Sequence, residues 1–308
     1  MKVYRIPEAN RTSAGRSTAN VLQLKPDEKI ASVIAIQQFV ENAHLVMATR
    51  QGLVKKTELM EYSRPRQGGI IGINLEEGDA LIDVALTHPG DEIVLSTREG
   101  MAIRFNEANV RSMGRGATGV WGIKLDKKKS DIIVGMVVAD PDGHLLTLCE
   151  NGYGKRTPFG PNNAIEADEA DEADTAEGND TATPEVVDAT PADAEVDGEE
   201  ADAPVRGSQK RYPCQKRGGK GKKDVKVTKK NGPVVGIASV RDGDEIMVIT
   251  TLGMVVRTKV DDIRIVARNT QGVKVMTPSE GDKIRTLAKL ARTPDEIVPP
   301  TDVEAPTE

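Results

Sequence analysis

Short apolar runs joined by glycine turns recur along this chain. Four segments share one pattern, in which an apolar run, a two-residue turn ending in glycine, a second apolar run and a base follow one another: His44–Lys56, Glu92–Arg104, His144–Arg156 and Glu245–Arg257. Two apolar runs separated by such a turn predict a β-hairpin. Asn151-Gly152 further predicts a type I′ turn, which has positive φ at both central residues.

A second pattern, Arg-x-x-x-Gly, follows each hairpin. It begins at Arg64, Arg115, Arg217 and Arg268, and a fifth copy at Arg11 precedes the first hairpin. Each copy leads into a short alternating segment, such as Ile71/Ile73/Leu75, which predicts a half-buried strand. A polar turn and one more apolar strand complete the repeat, so each repeat is expected to hold about four antiparallel strands.

The spacing of these loops indicates a repeat protein with one insertion. The closing glycines at 15, 68, 119, 221 and 272 are 53, 51, 102 and 51 residues apart. Repeats of about fifty residues with four strands each predict propeller-like radial packing in an all-β fold. The first repeat has no opening hairpin, so we expect Met1 to fall inside a repeat and the chain to be an N-terminally truncated fragment of a longer protein.

An acidic insertion, residues 160–208, accounts for the double spacing. Its central part, Glu166–Asp202, holds sixteen acids and no base, and few large apolar residues, which predicts disorder. The expected organisation is therefore one β domain over residues 1–292, interrupted by this insertion, and a polar acidic tail over 293–308. The net charge of −6 hides a basic body, because the chain without these two acidic regions carries +15.

The densest positive charge follows the insertion. Eleven Lys or Arg and a single acid, Asp224, lie between Arg206 and Lys230. The candidate DNA-binding residues in this stretch are Gln215, Lys216, Arg217, Gly218, Gly219, Lys220, Gly221, Lys222 and Lys223. Such a charge density needs screening by water or a polyanion, and glycine lets the backbone approach a surface closely. The stretch is either a flexible basic contact to a sugar-phosphate backbone or a solvated linker.

Radial packing would place equivalent bases of successive repeats at equivalent radius, as one stripe along the edge. The candidates are the loop arginines Arg11, Arg64, Arg115 and Arg268 and the bases that end the hairpins, Lys56, Arg104, Arg156 and Arg257. A positive stripe on a curved surface is suited to bending duplex DNA without reading its sequence. The alternative is that the arginines hold their loops by donating to backbone carbonyls.

Other kinds of function find little support. The three histidines are isolated, the two cysteines, Cys149 and Cys214, form no metal-binding pattern, and neither RGGKGKKD nor NGYGKRT matches the phosphate-loop motif. Aromatic residues make up 3% of the chain with Trp121 as the one tryptophan, which disfavours a stacking platform for single strands. We found no apolar run of membrane length and no secretion signal at the N-terminus.

The residues Gln215–Gly221, QKRGGKG, resemble the seven-residue box Q-[RK]-R-G-G-[RK]-G of the C-terminal domain of DNA gyrase A. Other segments are similar to the repeats of that family, among them MKVYRIPEANR, GLVKKTELMEYSR, EGMAIRFNEANVRSMGRGATGV and GMVVRTKVDDIRIVARNTQGVKV. The resemblance covers nearly the whole chain outside the insertion. One departure is the position of the box, which in the family usually lies in the first repeat and here lies in a late one.

The resemblance implies a β-pinwheel of about five to six four-stranded antiparallel blades that exchange strands with their neighbours. It implies that double-stranded DNA wraps around the basic rim with positive handedness, and that this wrap serves ATP-driven negative supercoiling. On this view the chain is no enzyme by itself. ATP and Mg act elsewhere, the partners are the rest of the gyrase A polypeptide and gyrase B in an A2B2 holoenzyme, and the location is the bacterial cytoplasm at the nucleoid.

Three other functions compete with this interpretation. The C-terminal DNA-binding domain of topoisomerase IV is the nearest, although it typically lacks an intact box. A protein-interaction propeller with a basic edge for acidic partners is the second, and an enzyme acting alone is the third. We also consider that the acidic Glu166–Asp202 competes with DNA for the basic rim, or that it is only a solubilising loop.

Overall fold

The computed structural model describes residues 28–66, 68–162 and 211–290, together with 6–8, 17, 22 and 24. Three regions that the sequence analysis singled out lie outside the described residues. They are Arg11, the acidic insertion beyond residue 162, and the tail 293–308.

The described residues form an all-β structure, as predicted. The strands in chain order are β1 (His44–Thr49), β2 (Leu53–Glu58), β3 (Leu81–Thr87), β4 (Glu92–Thr97), β5 (Met101–Asn106), β6 (Val120–Trp121), β7 (Ile133–Val138), β8 (His144–Cys149), β9 (Tyr153–Pro158), β10 (Lys222–Lys223), β11 (Val234–Val240), β12 (Glu245–Thr250), β13 (Val255–Lys259), β14 (Val273–Lys274) and β15 (Ile284–Lys289). Among the described residues, helical structure is confined to single 3₁₀ turns between strands, such as Lys127–Lys129.

These strands make four antiparallel sheets, which we call blades one to four. Their strand orders are β3-β1-β2-β6, β10-β5-β4-β7, β11-β8-β9-β14 and β13-β12-β15. Each blade is built on one of the four predicted hairpins, all of which are confirmed. These sheets account for four of the five to six blades expected from the sequence.

The hairpin turns differ from the prediction in length. Three residues, not two, separate β8 from β9, and the N–H of Gly152 donates to the carbonyl of Cys149 at 3.2 Å. Gly152 has φ of +88°, whereas Asn151 is not among the residues with positive φ. The type I′ prediction was therefore wrong, because a three-residue loop requires the left-handed conformation only at its last position.

Strand exchange between repeats closes the outer edge of the first three blades. The two-residue strand β6 follows the second hairpin in sequence but pairs with β2 of blade one. In the same way β10 pairs with β5 of blade two and β14 with β9 of blade three. The predicted alternating segments thus contribute only two paired residues each, and residues 70–75, the first such segment, form no strand.

Neighbouring blades bury each other's faces. The inner strands contact one another in succession, β3 with β7, β7 with β11 and β11 with β15. One apolar cluster joins blades one and two through side chains that include Val46, Val54, Ile93 and Leu95. A second cluster joins blades three and four. A single sheet could not bury both faces alone, so the blades depend on each other for a core.

The glycine that ends the Arg-x-x-x-Gly loop before each exchanged strand touches the backbone of the preceding blade. A Cβ on Gly119 would lie 2.6 Å from the carbonyl oxygen of Val54, and φ there is +113°. Gly221 and Gly272 would meet carbonyl oxygens at 2.5 and 2.7 Å. In the first loop, positive φ falls on Gly69 rather than on Gly68. Only glycine can therefore begin the exchanged strand at this distance.

We expect Gly119→Ala to lower the free energy of unfolding by about 1 to 3 kcal/mol, because it combines a strained φ with a contact to backbone that cannot move aside. Gly116→Ala is the control, since its φ is not positive and a Cβ there meets nothing within 4 Å. Urea denaturation of both variants measures the difference. Equal transition midpoints for the two would contradict this account of the loop.

Candidate nucleic-acid interface

The basic stretch that the sequence analysis singled out, Gln215–Lys223, forms a defined loop, which we call the box loop. It leads into β10 and lies against blade two. The backbone N–H of Gln215 donates to the carbonyl of Arg104 at 2.7 Å, and that of Gly218 donates to Gly122 at 2.7 Å. These bonds hold the loop in place, so it is not the solvated linker considered above.

Both ends of the box loop are anchored in the core. The Tyr212 hydroxyl donates to Oδ1 of Asp224 at 2.6 Å, and Thr147 donates to the other carboxylate oxygen at 2.8 Å. The ammonium of Lys155 lies 2.9 Å from the same carboxylate, with both side chains fully buried. Burial lowers the pKa of Lys155 and, together with Asp224, raises that of Tyr212 well above its usual value. The loop is thereby presented from a rigid base.

Three lysines of the box loop project into solvent. The side chains of Lys216, Lys220 and Lys223 are exposed, while Lys222 is half-buried. Their ammonium groups have no carboxylate within salt-bridge distance among the described residues. These lysines are therefore the members of the motif that are placed to meet a polyanion.

Two of the loop arginines hold their loops in place by donating to backbone carbonyls of other segments. Arg217 donates from Nε to the carbonyl of Asn109 at 2.7 Å and from Nη1 to that of Trp121 at 3.1 Å. Arg268 is buried and donates to the carbonyl of Arg211 at 2.7 Å. The predicted place of Arg268 in a DNA-facing stripe was wrong, and the carbonyl-binding alternative describes both residues.

The two other described loop arginines are more accessible. Arg115 is half-buried with its Nε 3.6 Å from the Glu61 carboxylate, and Arg64 is exposed. Their contribution to DNA binding stays a prediction.

Three of the four bases that end the hairpins lie in the interior, so their predicted position on the rim was wrong. The side chains of Lys56, Arg104 and Arg156 are buried. Their carboxylate partners are Glu107, Glu92 and Asp242, at N–O distances of 2.5, 2.5 and 2.6 Å. A base leaves water only when a carboxylate and carbonyls replace the lost hydration.

Arg104 has several partners besides Glu92. Its guanidinium also donates to the carbonyl oxygens of Tyr212, Gly160 and Pro161 and to Oδ1 of Asn162. Arg104 therefore joins blade two to the first residues of the insertion and to the segment that follows it.

The fourth hairpin base, Arg257, is exposed. It pairs with Glu245 through Nε at 2.6 Å. The sequence did contain a signal for this pairing. An acid twelve residues before the base opens the equivalent strand in two hairpins, Glu92 with Arg104 and Glu245 with Arg257.

The structure adds a second basic element that sequence reasoning treated only as a polar turn. A groove of about 1260 Å³ separates the box loop from the 3₁₀ turn Lys127–Lys129. The lysines that line this groove are Lys124, Lys127, Lys128, Lys129, Lys220 and Lys223. The backbone N–H of Lys124 donates to the carbonyl of Gly219 at 2.8 Å, which fixes the two sides relative to each other.

The electrostatics of this groove favour an anion. Six lysines and three carboxylates, those of Glu99, Asp126 and Asp131, line it. Asp126 accepts from the backbone N–H of Lys128 at 3.0 Å, and Asp131 accepts from that of Ile132 at 2.9 Å. The lysines outnumber the carboxylates two to one, so the groove carries a net positive charge, as a phosphate backbone requires.

Comparison with known proteins places the chain in a family. The family model described as "DNA gyrase C-terminal domain, beta-propeller" matches residues 1–37, 43–88, 91–140, 210–241 and 244–290, most of the chain. The chain belongs to the DNA gyrase C-terminal domain family. The matched stretches leave out residues 141–209, which include the third hairpin and the whole acidic insertion, and resume just before the box loop.

Individual relatives agree with this assignment. The chain is 38% identical over 296 residues to the DNA gyrase A protein of Salmonella typhimurium (strain LT2) and to that of Escherichia coli (strain K12). The alignments cover 96% of this chain but 28% of each relative. The chain thus spans less than a third of the length of these gyrase A proteins.

Two solved structures share the fold. The C-terminal domain of DNA topoisomerase IV has a TM-score of 0.69 at 25% identity and covers 94% of this chain and 74% of that one. The DNA gyrase A C-terminal domain has a TM-score of 0.66 at 21% identity and covers 91% of this chain and 76% of that one.

Other kinds of site are not seen in the described parts of this family member. No group of three or more His, Cys, Asp or Glu side chains is arranged there to hold a metal ion. Among the same residues, no helix has the length and apolar character of a membrane span.

Buried Lys55 should make the stability of the protein depend on pH. It donates to the carbonyl oxygens of Gly72 and Arg115, and burial, reinforced by the charge of Arg115, lowers its pKa to about 8. Because the unfolded chain keeps this proton up to about pH 10.5, we expect the free energy of unfolding to rise between pH 8 and 10.5.

Lys55→Met should remove this rise, so the stability advantage of the parent over the variant should grow with pH in that window. Urea denaturation at several pH values measures it, with the exposed Lys216→Met as the control for loss of a lysine. Parallel profiles for the parent and Lys55→Met would show that Lys55 keeps its proton equally in both states.

Proposed function

We propose that this chain binds duplex DNA without sequence preference and bends it around the basic rim, as the wrapping module of a DNA gyrase. The observation that carries the proposal is the groove between the box loop and the turn Lys127–Lys129, with six lysines around it. Family membership supports the same function, because the matched model is that of the gyrase C-terminal domain.

The chemistry of the groove fits a phosphate backbone rather than a base edge. Lysine presents a point charge on a flexible stem, which neutralises phosphates in many registers and carries no sequence information. The arginines that could read guanine by bidentate bonds are largely engaged elsewhere, as Arg217 is with two backbone carbonyls. Binding should therefore be electrostatic and strongly dependent on salt.

The role in supercoiling rests on the relatives. They are gyrase A proteins, and this chain matches less than a third of their length. We propose that the chain supplies the DNA wrap, while catalysis with ATP and Mg belongs to other parts of an A2B2 holoenzyme with gyrase B. The proposed setting is the bacterial cytoplasm, at the nucleoid.

Topoisomerase IV is the second candidate, favoured by the TM-score of 0.69 to the C-terminal domain of that enzyme. We prefer gyrase because the gyrase A relatives are 38% identical over nearly the whole chain. The intact QKRGGKG box supports the same choice.

Replacing Lys216, Lys220 and Lys223 by alanine together should weaken duplex binding and lower the steepness of its salt dependence. If about six phosphates are neutralised, the parent should show a log–log slope near −5, and each lost lysine should reduce its magnitude by about 1. Fluorescence anisotropy of a labelled duplex between about 50 and 200 mM salt measures both quantities.

The matched control removes three bases near the inner strand of blade four, Lys283, Arg285 and Lys289. It changes net charge by the same amount but leaves the groove intact. Equal losses from both triple variants would mean that binding follows net charge alone. No salt-dependent shift of the parent would favour a protein-interaction propeller instead.

Wrapping, as distinct from binding, has a topological signature. The parent chain bound to relaxed circular DNA, relaxed again with a type I topoisomerase and then stripped, should leave a dose-dependent positive change in linking number. The change should be absent for the triple variant that combines Lys216→Ala, Arg217→Ala and Lys220→Ala. An unchanged linking number at saturating, salt-sensitive binding would show that this chain binds without chiral wrapping.

A further inference from the structure

The exchanged strands place one side chain of each repeat at an equivalent outward position. Each strand has two residues, of which the first is half-buried and the second exposed. The exposed residues are Trp121 in blade one, Lys223 in blade two and Lys274 in blade three. Each pairs with the residue next to a hairpin glycine, as Trp121 does with Leu53 and Lys223 with Met101.

Trp121 is an unusual side chain for this position. Trp121 lines the basic groove, as do Lys220 and Lys223 of the box loop. The residue is 52% exposed, although an indole is among the largest apolar groups a protein can bury. Its carbonyl accepts from Arg217 at 3.1 Å, so the box loop and this residue are positioned by one contact.

Core packing does not explain an indole that remains half in solvent. A lysine at this position can neutralise a phosphate, as Lys223 and Lys274 are placed to do, but an indole cannot. What an indole offers in a cationic groove is an apolar face and one N–H donor. Proteins that bend DNA use apolar side chains of this kind as wedges against base steps in the minor groove.

We propose that Trp121 is a DNA-contact residue that inserts its indole into the minor groove of the bent duplex at the edge of blade one. The proposal rests on the function proposed above. It adds a contact that does not depend on charge, so it should help to set where and how far the duplex bends. A single indole makes no platform for single strands, which is why the partner is duplex DNA.

Intrinsic fluorescence tests the contact directly, because Trp121 is the single tryptophan of the chain. We expect a saturating 40-base-pair duplex to change the emission by about half and to protect the indole from acrylamide. The change should follow the mobility shift of the same samples and reverse with salt. Unchanged emission and acrylamide quenching at full mobility shift would overturn the role of Trp121 and leave DNA binding intact. Absence of any shift at low salt would overturn both proposals.

Substitutions at Trp121 distinguish an indole that inserts into the minor groove from one that only lies near the DNA. Trp121→Ala should weaken duplex binding about tenfold with an unchanged salt slope and reduce bending, read as energy transfer between dyes on the duplex ends. Trp121→Phe should restore part of both. Leu252→Ala, which removes an exposed apolar side chain of the blade-four turn, is the control and should alter neither. Equal bending by the parent, Trp121→Ala and Trp121→Phe would overturn the wedge.

Discussion

The exchange of two-residue strands between repeats is the constraint on which the rest of this structure depends. Each exchanged strand pairs with the hairpin of the preceding blade, and the glycine before it lies against that hairpin's backbone, as Gly119 lies against Val54. A side chain there would have to overlap a carbonyl oxygen. The contact ties successive repeats into one body, and apolar faces that a lone sheet would expose are buried between blades.

The bases of this structure are divided between the interior and the surface. The bases at the ends of the first three hairpins are buried and paired with carboxylates, and Arg104 also donates to carbonyls at the start of the insertion and after it. Lys216, Lys220 and Lys223 of the box loop are instead exposed to solvent. The opposite charges of a buried ion pair largely cancel, so they attract no ligand. Exposed lysines around one groove instead add to a common positive potential.

The box loop lies in a late repeat and forms one side of a lysine-lined groove. Its glycines shape the backbone against blade two, its ends are tied to buried Asp224, and its lysines face those of the turn Lys127–Lys129. The other side of the groove comes from the preceding repeat, so residues of two repeats line it.

The sequence by itself determined the repeat, the four hairpins, the all-β class and the family, because periodic apolar runs and the spacing of glycines depend on local geometry alone. It also singled out the box loop, since such charge density in so few residues is unusual. Only the tertiary structure decided which bases face solvent. Lys56 and Lys216 are both lysines that the sequence predicted to contact DNA. The ammonium of Lys56 pairs with the Glu107 carboxylate of the neighbouring blade, whereas Lys216 is exposed to solvent. That difference depends on contacts between residues far apart in the chain, as does the position of Trp121 beside lysines about a hundred residues away.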